Sequence, residues 1–270
     1  MWSKVMNKII TLIRKEWSEV FKNRMVFFAV AFMPILFTAI PLVMLYSMRG
    51  ATDIGSLGFN LNELPPEFAR VCGNLTEVEC GQFLLMLQFM LLFLMLPVII
   101  PVTIASYSIV GEKTTRTLEP LLATPITTIE LLAGKALGAV IPAVVATIAS
   151  FLIFAVGTAF LAISPAVALS LFTPMWLLGI FVVSPLLSIA GVSIAVMISS
   201  RVNDPRAAEQ LSALVILPVV TLFIGQTLGL VQLNQTLMIY IAMALLIIDV
   251  ALLYFATQLF QRETILTRWK

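Results

Sequence analysis

Histidine is absent from this sequence, cysteine occurs twice, and charged residues make up only 11% of the 270 residues. Without histidine, the chain lacks the commonest general base and the commonest metal-binding side chain. Two cysteines alone cannot supply the four ligands of a structural zinc site. The charged fraction is also well below the roughly one quarter that is typical of soluble domains. These absences exclude most catalytic-triad and metal chemistry and argue against a soluble fold.

Hydrophobic residues dominate what is present, at 60% of the sequence, and the mean hydropathy is +1.06. A helix that crosses about 30 Å of hydrocarbon needs roughly 20 predominantly apolar residues. Six stretches meet this requirement, at residues 25–48, 83–110, 136–163, 173–198, 211–231 and 237–260. The sequence therefore predicts an all-α integral membrane protein with six transmembrane helices, which form a single domain over residues 25–270.

The positive charges lie almost entirely on one side of these predicted helices, although the formal net charge is only +2. Fourteen of the 16 Lys and Arg residues lie before the first helix, in the 111–135 and 199–210 loops, or after the last helix. Such an excess marks the cytoplasmic face, so we expect both termini in the cytoplasm of a multi-pass cell-membrane protein. The balanced total indicates no nucleic-acid partner. We also expect no cleaved signal peptide, because the charged start lacks that pattern.

Residues 1–24 precede the first membrane helix and form a separate predicted unit. On a helical wheel their apolar side chains, such as Ile9, Ile13 and Trp17, occupy one half, and the lysines lie opposite. A basic helix of this kind lies along the membrane surface with its apolar half among the lipid headgroups. The sequence therefore predicts a cytoplasmic amphipathic helix that rests on the lipid.

Glu16 breaks this pattern because it falls on the apolar half of the helix. A carboxylate at such a position is costly unless it is paired or meets a protein partner. The alternative is that its side chain extends to the headgroup region. We therefore regard Glu16 as a candidate contact residue.

The external segment 49–82 carries both cysteines, Cys72 and Cys80. A segment this short cannot bury a core of its own, and a disulfide would hold it together. We predict that the two cysteines are bonded, with two unrelated free thiols as the alternative. Asn74 also begins a glycosylation sequon, which matters only in a host that glycosylates.

The predicted cytoplasmic coupling loop, 111–135, contains a helix-start signal. Thr127 is followed three residues later by Glu130, the spacing of a capping box. Pro125 disfavours helix immediately before this point. A helix should therefore start at Thr127 and continue into the third membrane helix.

Upstream in the same loop, an apolar ridge of leucines is flanked by charges of both signs. These residues are Leu118, Leu121, Leu122, Glu112, Lys113, Arg116 and Glu119. A short exposed helix with this pattern is typical of an element that binds another protein. A merely solvated charged loop is the alternative.

The loop resembles a stretch found in the membrane subunits of ABC-2 type ABC transporters, where it precedes a Gly-Lys pair at the next membrane helix. The matching residues are Glu112, Arg116, Thr117, Leu118, Glu119, Leu121, Leu122, Thr124, Pro125, Gly134 and Lys135. The basic N-terminal helix, the six membrane helices and the basic tail also fit this family. Several relatives insert a large external domain, whereas this chain has only about 34 residues in that place.

The resemblance implies the permease subunit of an ATP-driven exporter. Such a subunit pairs with a second permease chain, identical or different, and with two copies of a cytoplasmic ATPase that bind ATP and Mg. The implied docking residues are Glu16, Glu112, Lys113, Arg116, Thr117, Leu118, Glu119, Leu121, Leu122, Thr124 and Pro125. This chain itself should bind no cofactor and catalyse no reaction, and its sequence contains no P-loop motif.

Asp249 is the one ionisable residue that lies well inside a predicted membrane helix, where such a residue suggests a function. It could bind a cation or a proton, or it could form a hydrogen bond with Ser188, Ser193 or Gln226. The first possibility supports an alternative function, an ATP-independent secondary transporter or channel that uses Asp249. An intramembrane enzyme is the weakest hypothesis, because no histidine is present to act as base.

Overall fold

The computed structural model describes residues 2–50, 72, 75–115, 117 and 126–259. All regular secondary structure in these residues is helical. Six helical segments are long and apolar enough to cross a membrane, which confirms the predicted number. We call them spans 1 to 6, and their bounds are Val26–Met48, Glu77–Thr114, Thr128–Leu161, Pro165–Ser199, Pro205–Thr227 and Gln235–Leu259.

Helix α1, Trp2–Lys22, precedes span 1, whose helix is Arg24–Met48. Along α1 the buried residues Leu12, Glu16 and Val20 recur every four positions, a spacing that places them on one face of a helix. This face packs against span 3. The apolar side of α1 therefore contacts protein over part of its width, whereas Met6 and Ile10 remain exposed.

Span 2 consists of two helices, Glu77–Phe93 and Leu96–Thr114, with a short interruption between them. Its second helix ends four residues later than the predicted boundary at 110. The polar residues at this end, Glu112 above all, find partners inside the protein and do not stop the helix. The connection to span 3 is therefore shorter than the predicted loop 111–135.

Span 3 is a single helix, Thr128–Leu161, and the predicted capping box is confirmed at its start. The amide of Thr127 donates to Glu130 Oε2 at 2.8 Å, and the amide of Glu130 donates to Thr127 Oγ1 at 3.2 Å. These bonds satisfy two of the amides that a helix start leaves without partners.

Span 4 is built from several short pieces. They are the helices Pro165–Leu169, Pro174–Leu178 and Ser184–Ser199, the 3-10 turn Ser170–Phe172 and the π-helical turn Gly179–Val183. Each of the three α-helical pieces carries a proline within its first two positions. Proline lacks an amide hydrogen and is favoured at the start of a helix, where that hydrogen would have no partner, so the position of each proline fits the start of a new piece.

Span 5 comprises the helices Pro205–Ser212 and Leu217–Thr227, joined by the 3-10 turn Ala213–Ile216. It begins six residues before the predicted boundary at 211. Asp204 caps this start by accepting a 2.9 Å hydrogen bond from the amide of Arg206. Span 6 is one helix, Gln235–Leu259.

Spans 2 and 4 form the centre of the bundle, while spans 1, 5 and 6 expose most of their side chains. An aromatic cluster joins spans 2, 3 and 4. The Phe93 and Phe154 rings lie 5.2 Å apart, and the Phe151 and Trp176 rings lie 5.8 Å apart. All four side chains are fully buried, so this cluster anchors the apolar core.

Candidate coupling site

Charged residues from three segments meet at one end of the bundle, where α1, the end of span 2 and the start of span 3 come together. We call this the charged end. The opposite end, which carries Cys72 and Cys80, is the disulfide end. The charged end contains all five ion pairs found among the described residues.

Lys135, in the first turns of span 3, lies at the centre of this end. Its Nζ lies 2.8 Å from Glu16 Oε1 on α1, 2.7 Å from Glu112 Oε2 on span 2, and 2.7 Å from the Ser108 hydroxyl. The lysine side chain is only 3% exposed, and the two carboxylates are 2% and 5% exposed. One buried ammonium group thus connects three helices.

Lys15 supplies the second positive charge. Its ammonium group contacts Glu112 Oε1 and lies 3.4 Å from Glu19 one helical turn away. Burial lowers the pKa of Lys15, but the hydrogen bond to Glu112 and the surrounding carboxylates outweigh burial and raise that pKa above its ordinary value. Lys15 therefore stays charged at neutral pH, and each carboxylate of the buried pair, Glu16 and Glu112, has a lysine partner.

We call Lys15, Glu16, Ser108, Glu112 and Lys135 the buried network. Its hydroxyl group connects Lys135 to Glu16, because Ser108 accepts a hydrogen bond from Lys135 and donates one to Glu16 Oε2. Two ammonium groups balance two carboxylates. Removing one partner of a buried pair typically costs about 3–5 kcal/mol, because the other charge is left without compensation.

Two glycines explain why α1 can approach span 3 so closely. A Cβ atom at Gly134 would lie 2.7 Å from Cβ of Leu12, and one at Gly138 would lie 3.1 Å from Cβ of Glu16. The indole Nε1 of Trp17 also donates to the carbonyl oxygen of Gly138 at 3.0 Å. Small residues at this spacing allow helices to touch backbone to backbone.

Further polar contacts tie the neighbouring segments to the charged end. Lys8 on α1 lies 3.2 Å from Glu130 Oε2, the capping residue of span 3. Lys113 donates to the carbonyl oxygens of Ser200 and Val202 at 3.4 and 3.3 Å. The hydroxyl of Thr103 donates to Glu209 Oε1 at 2.7 Å, which links span 2 to span 5.

Carboxylate oxygens of Glu16, Glu19 and Glu112 lie within 4.8 Å of one another, a spacing that could also suit a metal ion. Hard divalent cations prefer such oxygen ligands. Here, however, the ammonium groups of Lys15 and Lys135 already contact these carboxylates. The cluster is therefore an ion-pair network in which each of the three carboxylates contacts a lysine.

The structure describes four of the predicted docking residues, namely Glu16, Glu112, Lys113 and Thr117. The others, Arg116, Leu118, Glu119, Leu121, Leu122, Thr124 and Pro125, lie outside the described residues. Glu16 and Glu112 are buried and paired within the chain, so neither carboxylate is exposed to a partner or to the headgroup region.

Sequence reasoning missed the partners of Glu16. The position of Glu16 on an apolar face was a signal that its charge is compensated. Lys135 was the corresponding signal in the second segment, because it follows a glycine within an apolar helix. No pattern within either segment showed that the two side chains meet, because they are 119 positions apart.

At the disulfide end, the predicted bond between Cys72 and Cys80 is confirmed, with 5.2 Å between the two Cα atoms. Neutral hydrogen bonds join the spans here. The amide of Ile163 donates to Gln82 Oε1 at 3.0 Å, and Gln88 Nε2 donates to the hydroxyl of Thr227 at 2.6 Å.

Asp249 is buried on span 6, with 4% of its surface exposed. The predicted hydrogen bonds to Ser188, Ser193 or Gln226 are not present, since neither carboxylate oxygen has a hydrogen-bond partner in the part of the chain that the structure describes. The hydroxyl of Ser188 and the side-chain oxygen of Gln226 also lack partners. These polar groups are buried on separate helices and are not hydrogen-bonded to Asp249.

The fold and the charged end define the class of protein. It is a multi-pass helical membrane protein whose ion pairs, among the described residues, lie at one end. A profile described as ABC-2 family transporter protein matches residues 10–263. The chain therefore belongs to the ABC-2 family of transporter proteins, which are membrane permeases that work with separate ATPase subunits. A comparison with curated proteins found no match for the sequence.

Proposed function

We propose that this chain is the permease subunit of an ATP-driven exporter. Two permease chains, identical or different, enclose the translocation pathway, and two cytoplasmic ATPase subunits dock at the charged end. The observation that carries this proposal is the buried network, which joins α1 to both segments that flank residues 116–125.

The distribution of charge supports a cytoplasmic location of the charged end. Most Lys and Arg residues lie in the segments at the charged end, and such an excess marks the cytoplasmic side of a membrane protein. An ATPase that uses cytoplasmic ATP must dock on that side. This chain contains no P-loop motif, so ATP and Mg are bound by the partner.

The docking surface comprises residues 113–125 and the outward face of α1. On α1 the polar side chains Arg14 and Ser18 are exposed. Glu16 and Glu112 are both buried, so they lie behind this surface and connect it to the bundle. We assign the contacts with the ATPase instead to the charges and leucines between Arg116 and Pro125.

Movement of the docked ATPase displaces residues 116–125 and therefore pulls on both ends of that segment. Glu112 lies at one end, Lys135 lies beyond the other, and their 2.7 Å contact keeps the two ends together. Lys15 and Glu16 carry the same displacement to α1. Because packed helices tend to adopt discrete arrangements, the bundle shifts between two packings.

The experiment is purification of the chain from its native membrane in mild detergent, followed by mass spectrometry of the proteins that accompany it. We expect a stoichiometric subunit with a nucleotide-binding P-loop. Arg116→Glu should remove that subunit and leave the permease folded. Arg70→Glu, the same charge reversal in the external segment, is the matched control and should leave the complex intact.

A complex that survives Arg116→Glu would contradict the docking assignment. A chain that purifies alone, under conditions where other membrane complexes survive, would contradict the ATP-driven function. That second result would favour the alternative, a secondary transporter or channel that uses Asp249, whose buried carboxylate is the observation in its favour. Its transport would follow an ion gradient and not ATP.

A further inference from the structure

Asp249 points into the protein, although span 6 is largely exposed. Its sequence neighbours Ile247, Ile248 and Val250 are 70%, 48% and 65% exposed. Asp249 itself shares the buried face of the helix with Met238 and Ala256. The carboxyl group is therefore shielded from lipid and turned toward the helices on which span 6 packs.

These helices offer Asp249 no charged partner. Span 6 packs mainly against the part of span 4 from Pro174 to Ser199, and to a small extent against span 3. The sequence 174–199 contains no ionisable side chain. In span 3 the ionisable residues are Glu130 and Lys135, which belong to the charged end and are paired there.

Both oxygens of Asp249 are buried without a hydrogen-bond partner among the described residues. An ionised carboxylate in such surroundings would lose its hydration and gain neither a counter-ion nor a hydrogen-bond donor, which is strongly unfavourable. A bound proton removes the charge. A protonated carboxyl group fits an apolar helix interface far better than a carboxylate does.

We propose that Asp249 is an intramembrane proton-binding site at the interface of spans 4 and 6. The proton is held while span 6 is packed on span 4. It leaves only when this interface opens to water, because the resulting charge must be hydrated. Proton occupancy is thereby linked to the packing of span 6 against the π-helical turn Gly179–Val183 and the helix that follows it.

This inference goes beyond the proposed function and does not depend on an ATPase. It concerns the packed state of this chain alone, so it can be tested whether or not the chain binds a nucleotide-hydrolysing partner. The ligand is a proton, and the site is the carboxyl group of one side chain.

The experiment is infrared spectroscopy of the full chain in lipid nanodiscs, with aspartate labelled with carbon-13 at its side-chain carboxyl. The sequence has three aspartates, at 53, 204 and 249. Asp204 is an exposed capping residue, and Asp53 lies in the predicted external segment. A protonated carboxyl group has a carbonyl stretching band that an ionised carboxylate lacks, and the label shifts that band.

At neutral pH we expect one label-shifted band of a protonated carboxyl in the natural sequence. Asp249→Asn should abolish it, and Asp204→Asn should leave it unchanged. Absence of the band from the natural sequence would overturn the proposal, and so would its persistence in Asp249→Asn. Absence of the band from the unsubstituted chain overturns the proposal even if a variant fails to fold.

Thermal unfolding against pH provides a second readout. An aspartate in an unfolded chain releases its proton above about pH 4. If the folded chain holds that proton, the Asp249 contribution to stability is greatest below this pH and falls as pH rises toward neutral. The natural sequence should therefore lose more stability over this range than Asp249→Asn, and Asp204→Asn should behave like the natural sequence. Parallel curves for the natural sequence and Asp249→Asn would contradict the proposal.

Discussion

The two ends of the bundle are stabilised by different chemistry. At the charged end, the lysines of the buried network bind carboxylates from helices far apart in the sequence. At the disulfide end, the connections are one covalent bond and hydrogen bonds between neutral groups. Ion pairs can exchange partners, whereas the disulfide joins the same two atoms as long as it remains oxidised.

This difference shows where a conformational change can start. Lys135 has three oxygen partners within 2.8 Å, on α1 and span 2, so one contact can weaken while the others still compensate the charge. A disulfide offers no such exchange. We therefore expect motion to enter at the charged end, with the disulfide end as the static reference.

The largest expected effect comes from Lys135→Met, which leaves Glu16 and Glu112 with only Lys15 as a counter-charge. We expect a loss of about 3–5 kcal/mol in the free energy of unfolding, measured by denaturant or thermal unfolding of the purified chain. The control is Lys22→Met at the exposed end of α1, which should change little. A Lys135→Met variant as stable as the natural sequence would show that the buried network does not hold the charged end together.

Adding Glu16→Gln to Lys135→Met sharpens this test, because it removes one of the uncompensated charges. We expect the double variant to recover part of the stability that the single variant loses. A loss in the double variant that equals the sum of the losses in Glu16→Gln alone and Lys135→Met alone would mean that Glu16 and Lys135 do not interact.

A smaller effect is expected from Cys72→Ser together with Cys80→Ser at the disulfide end. A bond that closes a loop across eight positions stabilises by about 2.5 kcal/mol in the chain-entropy model. The loss should appear as a lower unfolding temperature, while assembly with partner subunits stays intact. Loss of assembly in this variant would break the comparison, since it would show that the two ends do not act separately.

The smallest effect is expected from Gly134→Ala, which places a methyl group where Leu12 now lies. Overpacking of this kind costs typically about 1–3 kcal/mol, and α1 should move away from span 3. Accessibility of Leu12→Cys to a thiol reagent reports that movement. Gly111→Ala is the matched control, because its Cβ would meet no atom within 4 Å. Equal accessibility in the two variants would show that Gly134 does not set the position of α1.

Much of the fold follows from local sequence. A membrane span is specified by its own run of apolar residues, so all six were predictable, and the start of span 3 was specified by Thr127 and Glu130. Disulfide pairing was predictable because the sequence has only two cysteines and both lie in the predicted external segment.

Tertiary contacts determine the rest. Glu112 belongs to a charged stretch that is typical of an exposed loop, yet Lys15 and Lys135 draw it into the bundle. The π-helical turn Gly179–Val183 and the break after Phe93 lie within uniformly apolar runs, where hydropathy gives no sign of irregular backbone. The surroundings of the Asp249 carboxyl could not be predicted from the sequence either, because they depend on how spans 4 and 6 pack together.

The central claim is that the buried network transmits ATPase movement to α1. The most direct measurement is the distance between spin labels on Met6→Cys in α1 and Leu169→Cys in span 4, two exposed positions, in the complex with and without ATP. We predict that ATP changes this distance in the natural background. Glu112→Gln should keep the ATPase bound but abolish the change, and an undiminished change in Glu112→Gln would contradict the account.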